Sequence, residues 1–280
     1  MKTFIIDSFT DRPFKGNPAG VCFLEQALSD ETMQHIAQEL NLSETAFISR
    51  LDSPEQFSIR YFSPKMEIPL CGHATLASAK AVFSTYGLPR VYFRNIQGLI
   101  LAVRMSAGGI SMTFPVYETY PAAAPTALLA ALGLRSVRNV AYNQETNILL
   151  LEIATTEELS NLQPDFAALL RSHDSINGVL VTAPSGRDGY DFHSRYFWPW
   201  SGTNEDPVTG GSHTFLAKYW SERLGKMKMK SFQASQRSGF MEVELVDGRV
   251  QISSQAVVVF EGEMLATRTS RESPRDLAVC

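Results

Sequence analysis

Residues 57–64 read FSIRYFSP and residues 192–199 read FHSRYFWP, so that five of eight positions are identical at a constant offset. Self-similarity at a spacing close to half of a chain indicates a duplicated structural unit. A chance likeness of two aromatic strands is the alternative, but the preference of strands for aromatic residues does not explain a shared arginine and a shared terminal proline. The repeat therefore predicts two pseudo-symmetric halves, and ligands commonly bind at such an interface.

Each copy of the repeat is followed by a glycine turn and a helical segment. The first segment reads CGHATLASAKAVF at 71–83, and the second reads TGGSHTFLAKYW at 209–220. Setting Gly72 against Gly210 leaves the second copy three residues longer between its strand and its turn. The first segment has almost no polar face, and a helix that is apolar on all sides is buried. Because many short strands surround these helices, the pattern predicts an α+β fold in which each half is a curled β-sheet or barrel around a central helix.

A change in composition marks the expected boundary between the halves. Residues 116–125 read VYETYPAAAP, which is typical of a linker. The prediction is an N-terminal half at residues 1–118, completed by a strand from the C-terminal end, and a C-terminal half at residues 119–280. Within the first half, residues 30–40 have apolar side chains at helical spacing behind Ser29 as the N-cap, which predicts an amphipathic helix.

The overall composition favours a soluble protein that acts on a small molecule. The 280 residues carry a formal net charge of -4, with 44% hydrophobic and 19% charged residues, which argues against disorder. Lysines and arginines are scattered, so the basic surface that nucleic-acid binding needs is not indicated. The N-terminal segment MKTFIIDSF has no apolar run long enough for a signal peptide or a membrane span. We therefore expect a cytoplasmic protein, with neither nucleic acid nor membrane as a partner.

The cysteines and histidines form no recognisable metal or disulfide pattern. Cys22, Cys71 and Cys280 make no CxxC pair, and the five histidines make no HxH or HExxH motif. A phosphate loop and a dinucleotide-binding fingerprint are also missing. We predict free thiols, no metal and no cofactor, so that the chemistry is left to the side chains.

The glycine turns indicate candidate sites for an anion. Each turn leaves unpaired backbone N–H groups and the positive end of a helix dipole at the interface between the halves. A carboxylate or a developing oxyanion can be held there without a metal, although a glycine before a helix is more often structural. Gly72, Gly210 and Gly211 are thus candidate substrate-binding residues.

Three titratable residues lie at or near these turns or beside the neighbouring strands. His73 is on the first turn of the first helix, and its alternative role is that of a satisfied buried histidine. Asp206 precedes the second turn, where a carboxylate often forms a turn or caps a helix. Glu44 stands between an amphipathic helix and an apolar strand, a position at which most glutamates are solvated or capping. The residues by themselves leave these alternatives open.

Four ordered segments resemble the signature segments of the PhzF-like family of phenazine-biosynthesis isomerases. They are DSFTDRPFKGNPAGVC at 7–22, NLSETAFI at 41–48, LCGHATLASA at 70–79 and EDPVTGGSH at 205–213. The similarity extends from the first strand to about residue 262 and is far more specific than a single glycine pattern. It implies the diaminopimelate epimerase-like fold of two pseudo-symmetric halves, and it implies a homodimer.

The resemblance also implies roles for individual residues. Glu44 matches the catalytic acid–base glutamate of the family, and His73 and Asp206 match the polar groups that hold the substrate and help to protonate it. The family usually has a serine at the place of Gly211, whereas here the serine comes one position later, at Ser212. Ser212 is therefore a candidate substrate-binding residue at a shifted position.

The implied function is a cofactor-independent isomerase that moves a proton on a small carboxylated, conjugated substrate. For Glu44 to contribute about 10²–10⁴-fold as general acid and base, burial is expected to raise its pKa toward neutrality. The two helix-terminus sites would stabilise the enolate-like charge that forms during the transfer.

Two other functions stand against the isomerase hypothesis. A racemase or epimerase of this fold uses two facing thiols, and setting Gly72 against Gly210 places Cys71 opposite Thr209. A threonine hydroxyl is far too weakly acidic to alternate with a thiolate, so we expect Cys71 to be a small buried residue that packs the turn. The third hypothesis is a non-catalytic small-molecule-binding protein that keeps the cleft.

Overall fold

The computed structural model describes residues 1–186 and 188–265, and these ranges form a mixture of many short strands and few helices. The helices are α1 (Asp30–Leu40), α2 (Gly72–Tyr86), α3 (Thr126–Leu132), α4 (Thr156–Ser160), α5 (Phe166–Arg171) and α6 (His213–Leu224), with one 3-10 helix at Pro199–Ser201. The strands are β1 (Lys2–Ser8), β2 (Asn17–Phe23), β3 (Glu44–Arg50), β4 (Gln56–Phe62), β5 (Glu67–Ile68), β6 (Arg90–Arg94), β7 (Ile100–Ser106), β8 (Gly109–Pro115), β9 (Tyr120–Pro121), β10 (Asn139–Asn143), β11 (Ile148–Glu152), β12 (Gly178–Pro184), β13 (Phe192–Trp198), β14 (Thr203–Asp206), β15 (Lys228–Gln233), β16 (Gly239–Val246), β17 (Arg249–Ser254) and β18 (Ala256–Glu263). None of the helices in the two ranges is both long and apolar enough to cross a membrane.

The strands that surround α2 form one curved half-sheet. Hydrogen bonding gives the order β18-β1-β2-β3-β4-β6-β7-β8, with β5 folded back against β4. The pairs β2/β3 and β4/β6 are parallel, and the other pairs are antiparallel. Helix α2 contacts β1, β2, β3, β6, β7, β8 and β18. The half-sheet therefore wraps around this helix, as the apolar sequence of the helix requires.

A second half-sheet corresponds to the first strand for strand. Its order is β9-β10-β11-β12-β13-β15-β16-β17, with β14 folded back against β13 and with parallel pairs at β11/β12 and β13/β15. Helix α6 contacts β15, β16 and β17. Antiparallel pairing of β8 with β17 joins the two half-sheets. Among the described residues no pairing connects β9 with β18, so the joined sheet is curled but unclosed.

The strand register shows that the two repeated segments occupy equivalent positions in the two half-sheets. In the first half Phe57 pairs with Phe93, and in the second half the equivalent Phe192 pairs with Ser231. Ser231 comes three residues later than the offset between the two phenylalanines would place it. The 3-10 helix Pro199–Ser201, three residues long, lies between β13 and β14 and takes up this extra length. The duplication is therefore visible in the pairing pattern as well as in the sequence.

The arginine shared by the two repeat segments makes the same ion pair in both halves. Arg60 Nε and Nη2 each lie 2.7 Å from a carboxylate oxygen of Glu67 on β5. Arg195 Nε and Nη2 lie 2.8 and 2.9 Å from the carboxylate oxygens of Glu205 on β14. Bidentate pairs of this kind add geometric specificity as well as energy. Each pair thus holds a short returning strand in place, and on β14 the next residue is Asp206.

The apolar side chains form three cores within this frame. The main core contains side chains of both central helices and of both half-sheets, among them Phe57, Leu76, Phe192 and Trp220. A second core lies under α3, α4 and α5, and a third lies under α1. The amphipathic helix at residues 30–40 is confirmed, and its Ser29 cap accepts a hydrogen bond from the Thr32 N–H.

Two further predictions from the sequence concern the segment between the halves and the cysteines. Residues 116–125 were expected to form a linker, but they include β9, which pairs with β10. The main-chain N–H of Tyr117 also donates to the carbonyl of Thr214 at the start of α6, so the segment is tied to the second half. Cys22 and Cys71 are free buried thiols, and Cys280 lies outside the described residues.

The repeated ion pairs offer a matched test of their contributions to stability. The Arg195 side chain is 10% exposed and also donates to the carbonyls of Leu159 and Leu162, whereas that of Arg60 is 25% exposed. Arg195→Ala leaves Glu205, whose side chain is 16% exposed, without its partner, so we expect a loss of about 3–5 kcal/mol in the free energy of unfolding. For Arg60→Ala we expect a smaller loss in the free energy of unfolding, of about 1–3 kcal/mol. Urea unfolding at neutral pH measures both values, and an equal or larger loss for Arg60→Ala would contradict this account.

Candidate active site

Polar residues from four segments meet at the junction of the two halves. Glu44 is the first residue of β3, and Asn17 is the first residue of the neighbouring parallel strand β2. His73 lies in the first turn of α2, and Asp206 ends β14. Asn17 reaches across the junction, since its Nδ2 lies 2.9 Å from Asp206 Oδ1. The three predicted catalytic residues are thus brought into one cluster, in which Glu44 and His73 are buried and Asp206 is partly buried.

Glu44 and His73 form a buried pair. Glu44 Oε2 lies 3.1 Å from His73 Nε2, and only 11% and 10% of the two side chains are exposed. On the other side of the ring, His73 Nδ1 lies 3.4 Å from Cys71 Sγ. Ser43 Oγ is 3.3 Å from His73 Nε2, and Ser8 donates its hydroxyl to the His73 carbonyl at 2.8 Å. Contacts at both ring nitrogens and at the backbone therefore fix the orientation of His73.

Asp206 is held by residues of both halves. Its Oδ1 accepts a hydrogen bond from Asn17 Nδ2 at 2.9 Å, and its Oδ2 accepts one from the Thr209 hydroxyl at 2.5 Å. Gln233 Nε2 donates to the Asp206 carbonyl at 2.8 Å, and Gln233 Oε1 accepts from the Thr209 N–H at 2.9 Å. Asn17 Nδ2 also donates to the Val208 carbonyl at 2.9 Å. Asn17 therefore ties the turn that carries Asp206 to the first half.

The pKa of Glu44 does not follow the expectation drawn from burial. Burial does raise the pKa of Glu44, but the hydrogen bond and charge of His73, together with Ser43 and Cys71, outweigh it, and the net pKa is lowered. Burial disfavours the imidazolium form of His73, whereas Cys71 and Glu44 favour it, and the pKa of His73 is raised well above its usual value. The expectation that the pKa of Glu44 would be raised toward neutrality is therefore wrong. Contact with His73 thus favours the ionised form of Glu44.

The pKa of Asp206 is shifted in the opposite direction to that of Glu44. Burial raises the pKa of Asp206 to about 6, although the charge of His73 and the hydrogen bonds from Thr209 and Asn17 lower it. Two titratable groups whose pKa values are pushed apart are typical of acid–base sites. At neutral pH Glu44 is thus able to accept a proton, and Asp206 titrates within reach of neutral pH.

The glycines at the two turns differ in what surrounds them. A Cβ built on Gly72 or on Gly211 would meet no atom within 4 Å, so both backbones border open space. Gly210 instead packs against the ring of Phe9, where a Cβ would lie 2.9 Å from Cζ. N–H groups at the start of a helix have no acceptor within the helix. Gly72 is the first residue of α2, so its N–H has no acceptor within the helix, whereas Gly211 lies two residues before α6. Close packing is sufficient to explain Gly210.

The residues after Gly211 are engaged inside the second turn. Ser212 is buried and donates its hydroxyl to the Thr209 carbonyl at 2.9 Å. Substrate binding by Ser212 consequently stays a prediction. His213 begins α6 with its Nε2 2.9 Å from Ser231 Oγ, and burial lowers the pKa of His213 to about 4. His213 is thus a neutral, satisfied core histidine.

Asn17 and Gln233 are site residues that the sequence reasoning missed. Asn17 is fully buried and belongs to the segment at 7–22 that carries the family resemblance, so an asparagine among glycine and proline there was an available signal. Gln233 is also buried, but it ends β15 in a region without a motif. Only its contacts with Asp206 and Thr209 in the structure reveal its part in the site.

The site also contains a set of donor atoms that could hold a metal. Glu44, Cys71 and His73 each offer one ligand atom, and these atoms lie within 4.8 Å of one another. Carboxylate, thiolate and imidazole are all ligands that zinc accepts. Sequence spacing did not indicate this set, because its members come from two separate segments and form no motif.

Known proteins are similar to this chain over nearly its whole length. A family model described as phenazine biosynthesis-like protein matches residues 6–262. Phenazine biosynthesis-like domain-containing protein 1 of Mus musculus is 40% identical over 284 residues, covering 94% of this chain and 98% of the relative. A Pseudomonas aeruginosa protein named as an uncharacterized isomerase is 41% identical over 263 residues, covering 93% and 97%. A crystal structure of a phenazine biosynthesis PhzC/PhzF protein from Clostridium difficile superposes with a TM-score of 0.85 at 37% identity, covering 94% of this chain and 99% of that chain.

The curled sheet, the two central helices and the buried polar cluster define a protein of the diaminopimelate epimerase-like fold. A hydroxyproline epimerase from Agrobacterium vitis shares this fold with a TM-score of 0.53 at 11% identity. The chain belongs to the phenazine biosynthesis-like family, PhzF. The predicted fold class and the predicted family are confirmed, and relatives that are named isomerases support an enzyme.

Asn17→Ala is expected to raise the pKa of Asp206 above its value of about 6, because a hydrogen bond that favours the carboxylate is lost. Carbon-13 NMR titration of the aspartate carboxyls measures this change. Asn143→Ala is a matched control, since Asn143 is equally buried but donates to Glu118 and Glu145, outside the site. An unchanged Asp206 pKa in Asn17→Ala, or an equal rise in the control, would contradict the role given to Asn17.

Proposed function

We propose that this protein is a cofactor-independent isomerase that moves a proton on a small carboxylated, conjugated substrate at the junction of its two halves. The observation that carries the proposal is the pair of neighbouring carboxyl groups, Glu44 and Asp206, whose pKa values are displaced in opposite directions. Such a pair supplies one group that accepts a proton and another that can carry one near neutral pH. The isomerase names of relatives support the same class of reaction.

Glu44 is the proposed base of the reaction. Its carboxylate removes a proton from a carbon beside a conjugated carbonyl or carboxyl group and returns it to another carbon on the same face. A positioned acid–base group of this kind contributes about 10²–10⁴-fold. The lowered pKa of Glu44 depends on its contact with His73. A substrate carboxylate that accepts a hydrogen bond from His73 competes for that contact and raises the pKa of Glu44 when the substrate binds.

The remaining stabilisation is assigned to the turns and to Asp206. The N–H groups of Gly72 and Gly211, which border open space, stabilise the enolate-like charge as it develops. Asp206, with a pKa of about 6, exchanges a proton with the part of the substrate that faces the second half. His73 holds the anionic end of the substrate. No step of the proposed reaction uses a cofactor.

A two-base racemase is less well supported than an isomerase. The hydroxyl of Thr209, opposite Cys71 in the repeat, donates its hydrogen to Asp206 at 2.5 Å. A threonine hydroxyl is also far too weakly acidic to serve as the second base. Burial raises the pKa of the Cys71 thiol, which disfavours the thiolate that a two-base racemase needs. A small carboxylate as substrate, a homodimer and a cytoplasmic location belong to the isomerase proposal as predictions.

Incorporation of deuterium from solvent distinguishes the three hypotheses. The protein is incubated in D₂O with a panel of carboxylated cyclic dienes and with free amino acids, and each compound is analysed by NMR and mass spectrometry. Exchange or double-bond migration in a diene acid supports the isomerase. Exchange of an amino-acid α-proton with inversion would favour the racemase, and binding without exchange would favour the non-catalytic protein.

Glu44→Gln is expected to lower the exchange rate by at least about 100-fold, because the amide keeps the shape of the side chain but does not carry the proton. Glu152→Gln is the matched control, since Glu152 is as buried as Glu44, both being 9% exposed, but contacts Tyr219 and Arg223. The control is expected to stay active. A folded Glu44→Gln variant that keeps more than a tenth of the wild-type rate would rule out Glu44 as the base.

Cys71→Ala is expected to retain most of the isomerase activity, because the proposed proton transfer does not involve the thiol. Cys22→Ala removes the other buried free thiol in the described ranges and serves as the control. Neither variant nor the wild type is expected to invert an amino acid. Racemisation that disappears in Cys71→Ala would overturn the mechanism in which Glu44 moves the proton.

A further inference from the structure

The side chain of Gln233 contacts the turn that carries Asp206 at three points. Gln233 is 2% exposed, and its Nε2 lies 2.8 Å from the Asp206 carbonyl oxygen and 3.2 Å from Thr209 Oγ1. Its Oε1 lies 2.9 Å from the main-chain nitrogen of Thr209. A buried amide whose oxygen and nitrogen both have partners is held in one orientation, so Gln233 is a fixed part of the candidate active site.

The chemistry of these partners sets the direction of each hydrogen bond. The main-chain N–H of Thr209 can only donate and the Asp206 carbonyl can only accept, so the amide oxygen of Gln233 faces the first and its nitrogen faces the second. The other N–H of the amide then donates to the hydroxyl oxygen of Thr209. The hydroxyl hydrogen of Thr209 is therefore directed to Asp206 Oδ2, which accepts it at 2.5 Å.

The equivalent amide in the first half has different partners. Phe93 and Ser231 are equivalent in the strand register, and two residues after them come Asn95 and Gln233. Asn95 is also buried and donates to the Pro69 carbonyl, just after β5, at 2.9 Å. Its oxygen accepts from the main chain of its own loop. Both amides thus hold the end of a returning strand, and Gln233 adds a contact with the turn before the central helix.

Asp206 also faces three titratable groups on neighbouring elements. The charge of His73 on α2 lowers the pKa of Asp206, and the charge of Glu44 on β3 raises it. Tyr196 pairs with Asp206 across β13 and β14, and burial and the charge of Asp206 raise the pKa of Tyr196. The Thr209 hydroxyl lowers the pKa of Asp206 against the larger effect of burial. Loss of this hydrogen bond therefore raises the Asp206 pKa while the neighbouring groups stay in place.

We propose that Gln233 is a positioning residue that holds the Thr209 hydroxyl in the direction of the Asp206 carboxyl group. Gln233 acts through Thr209 and exchanges no proton itself. Its effect on the reaction rests on the proposed function, in which Asp206 exchanges a proton with the substrate. A hydroxyl that is free to turn away stabilises the carboxylate less, so Asp206 would keep its proton to a higher pH.

Carbon-13 NMR titration of the aspartate carboxyl groups tests this role independently of activity. Two or three N–H donors lower a carboxyl pKa by about two units, so loss of one donor is expected to raise the Asp206 pKa by about one unit. Thr209→Val is expected to show this rise, whereas Thr209→Ser keeps the hydroxyl and a pKa of about 6. Gln233→Asn, which carries the shorter amide of the first half, and Gln233→Met, which has no N–H, are each expected to show at least about half of the rise.

A double variant separates positioning from general support of the fold. If Gln233 acts through the hydroxyl, Thr209→Val combined with Gln233→Asn has the same Asp206 pKa as Thr209→Val alone. Asn95→Ala is the matched control from the first half and is expected to leave the Asp206 pKa unchanged. An Asp206 pKa that stays at about 6 in the Gln233 variants, or rises that add in the double variant, would overturn the proposal.

The pH profile of deuterium exchange tests the consequence for the reaction. The limb that follows Asp206 is expected to move to higher pH in Thr209→Val and in Gln233→Asn, by the same amount as the Asp206 pKa. A limb that stays in place while the Asp206 pKa rises would overturn the effect on the reaction. If the wild type exchanges no substrate, the proposed function fails, while the NMR titration still decides the role of Gln233.

Discussion

The antiparallel pairing of β8 with β17 is the contact on which the arrangement of this molecule depends. Each half-sheet wraps one central helix, and neither half by itself contains the polar cluster. Pairing of Ser111 with Ser253 and of their neighbours joins the two half-sheets along one edge. The glycine turns before α2 and α6 then contribute to the same junction, where Asn17 of one half reaches Asp206 of the other. The candidate site is thus a product of the join between the halves.

Within that junction, the position of His73 relative to the two carboxyl groups affects their pKa values. Burial disfavours ionisation of Glu44 and of Asp206 alike, and His73 is the nearby group that can offset it. Glu44 has His73 within hydrogen-bonding distance, so its pKa falls. For Asp206, burial outweighs the charge of His73 and the hydrogen bonds from Thr209 and Asn17, the charge of Glu44 adds to the effect of burial, and the pKa stays raised at about 6. Of the two carboxyl groups, Glu44 alone lies within hydrogen-bonding distance of the imidazole, and this contact separates their pKa values.

The sequence was sufficient for the architecture because the repeat and the helical pattern are local features. The aromatic segments at 57–64 and 192–199 indicated the duplication, and their strands occupy equivalent places in the two half-sheets. The pKa shifts depend on contacts between residues that are distant in sequence, so they were only partly predicted. The burial of Glu44 was expected, but its partner His73 lies in another segment, so the direction of its pKa shift was predicted wrongly. Gln233 shows the same limit, since a strand glutamine has no motif until the fold places it beside Asp206.

The position of β1 has a consequence for synthesis on the ribosome. This strand is translated before the other described strands, yet it lies between β2 and β18, which is the last strand of the described chain. Strands β9 to β17 of the second half-sheet, by contrast, are contiguous in sequence. The nascent N-terminal half must therefore keep one edge of an apolar strand unpaired until Ala256–Glu263 emerges, and such an edge invites wrong pairing. The first half therefore completes its hydrogen bonds after the second half, and its open edge is exposed to wrong pairing for most of the synthesis of the described chain.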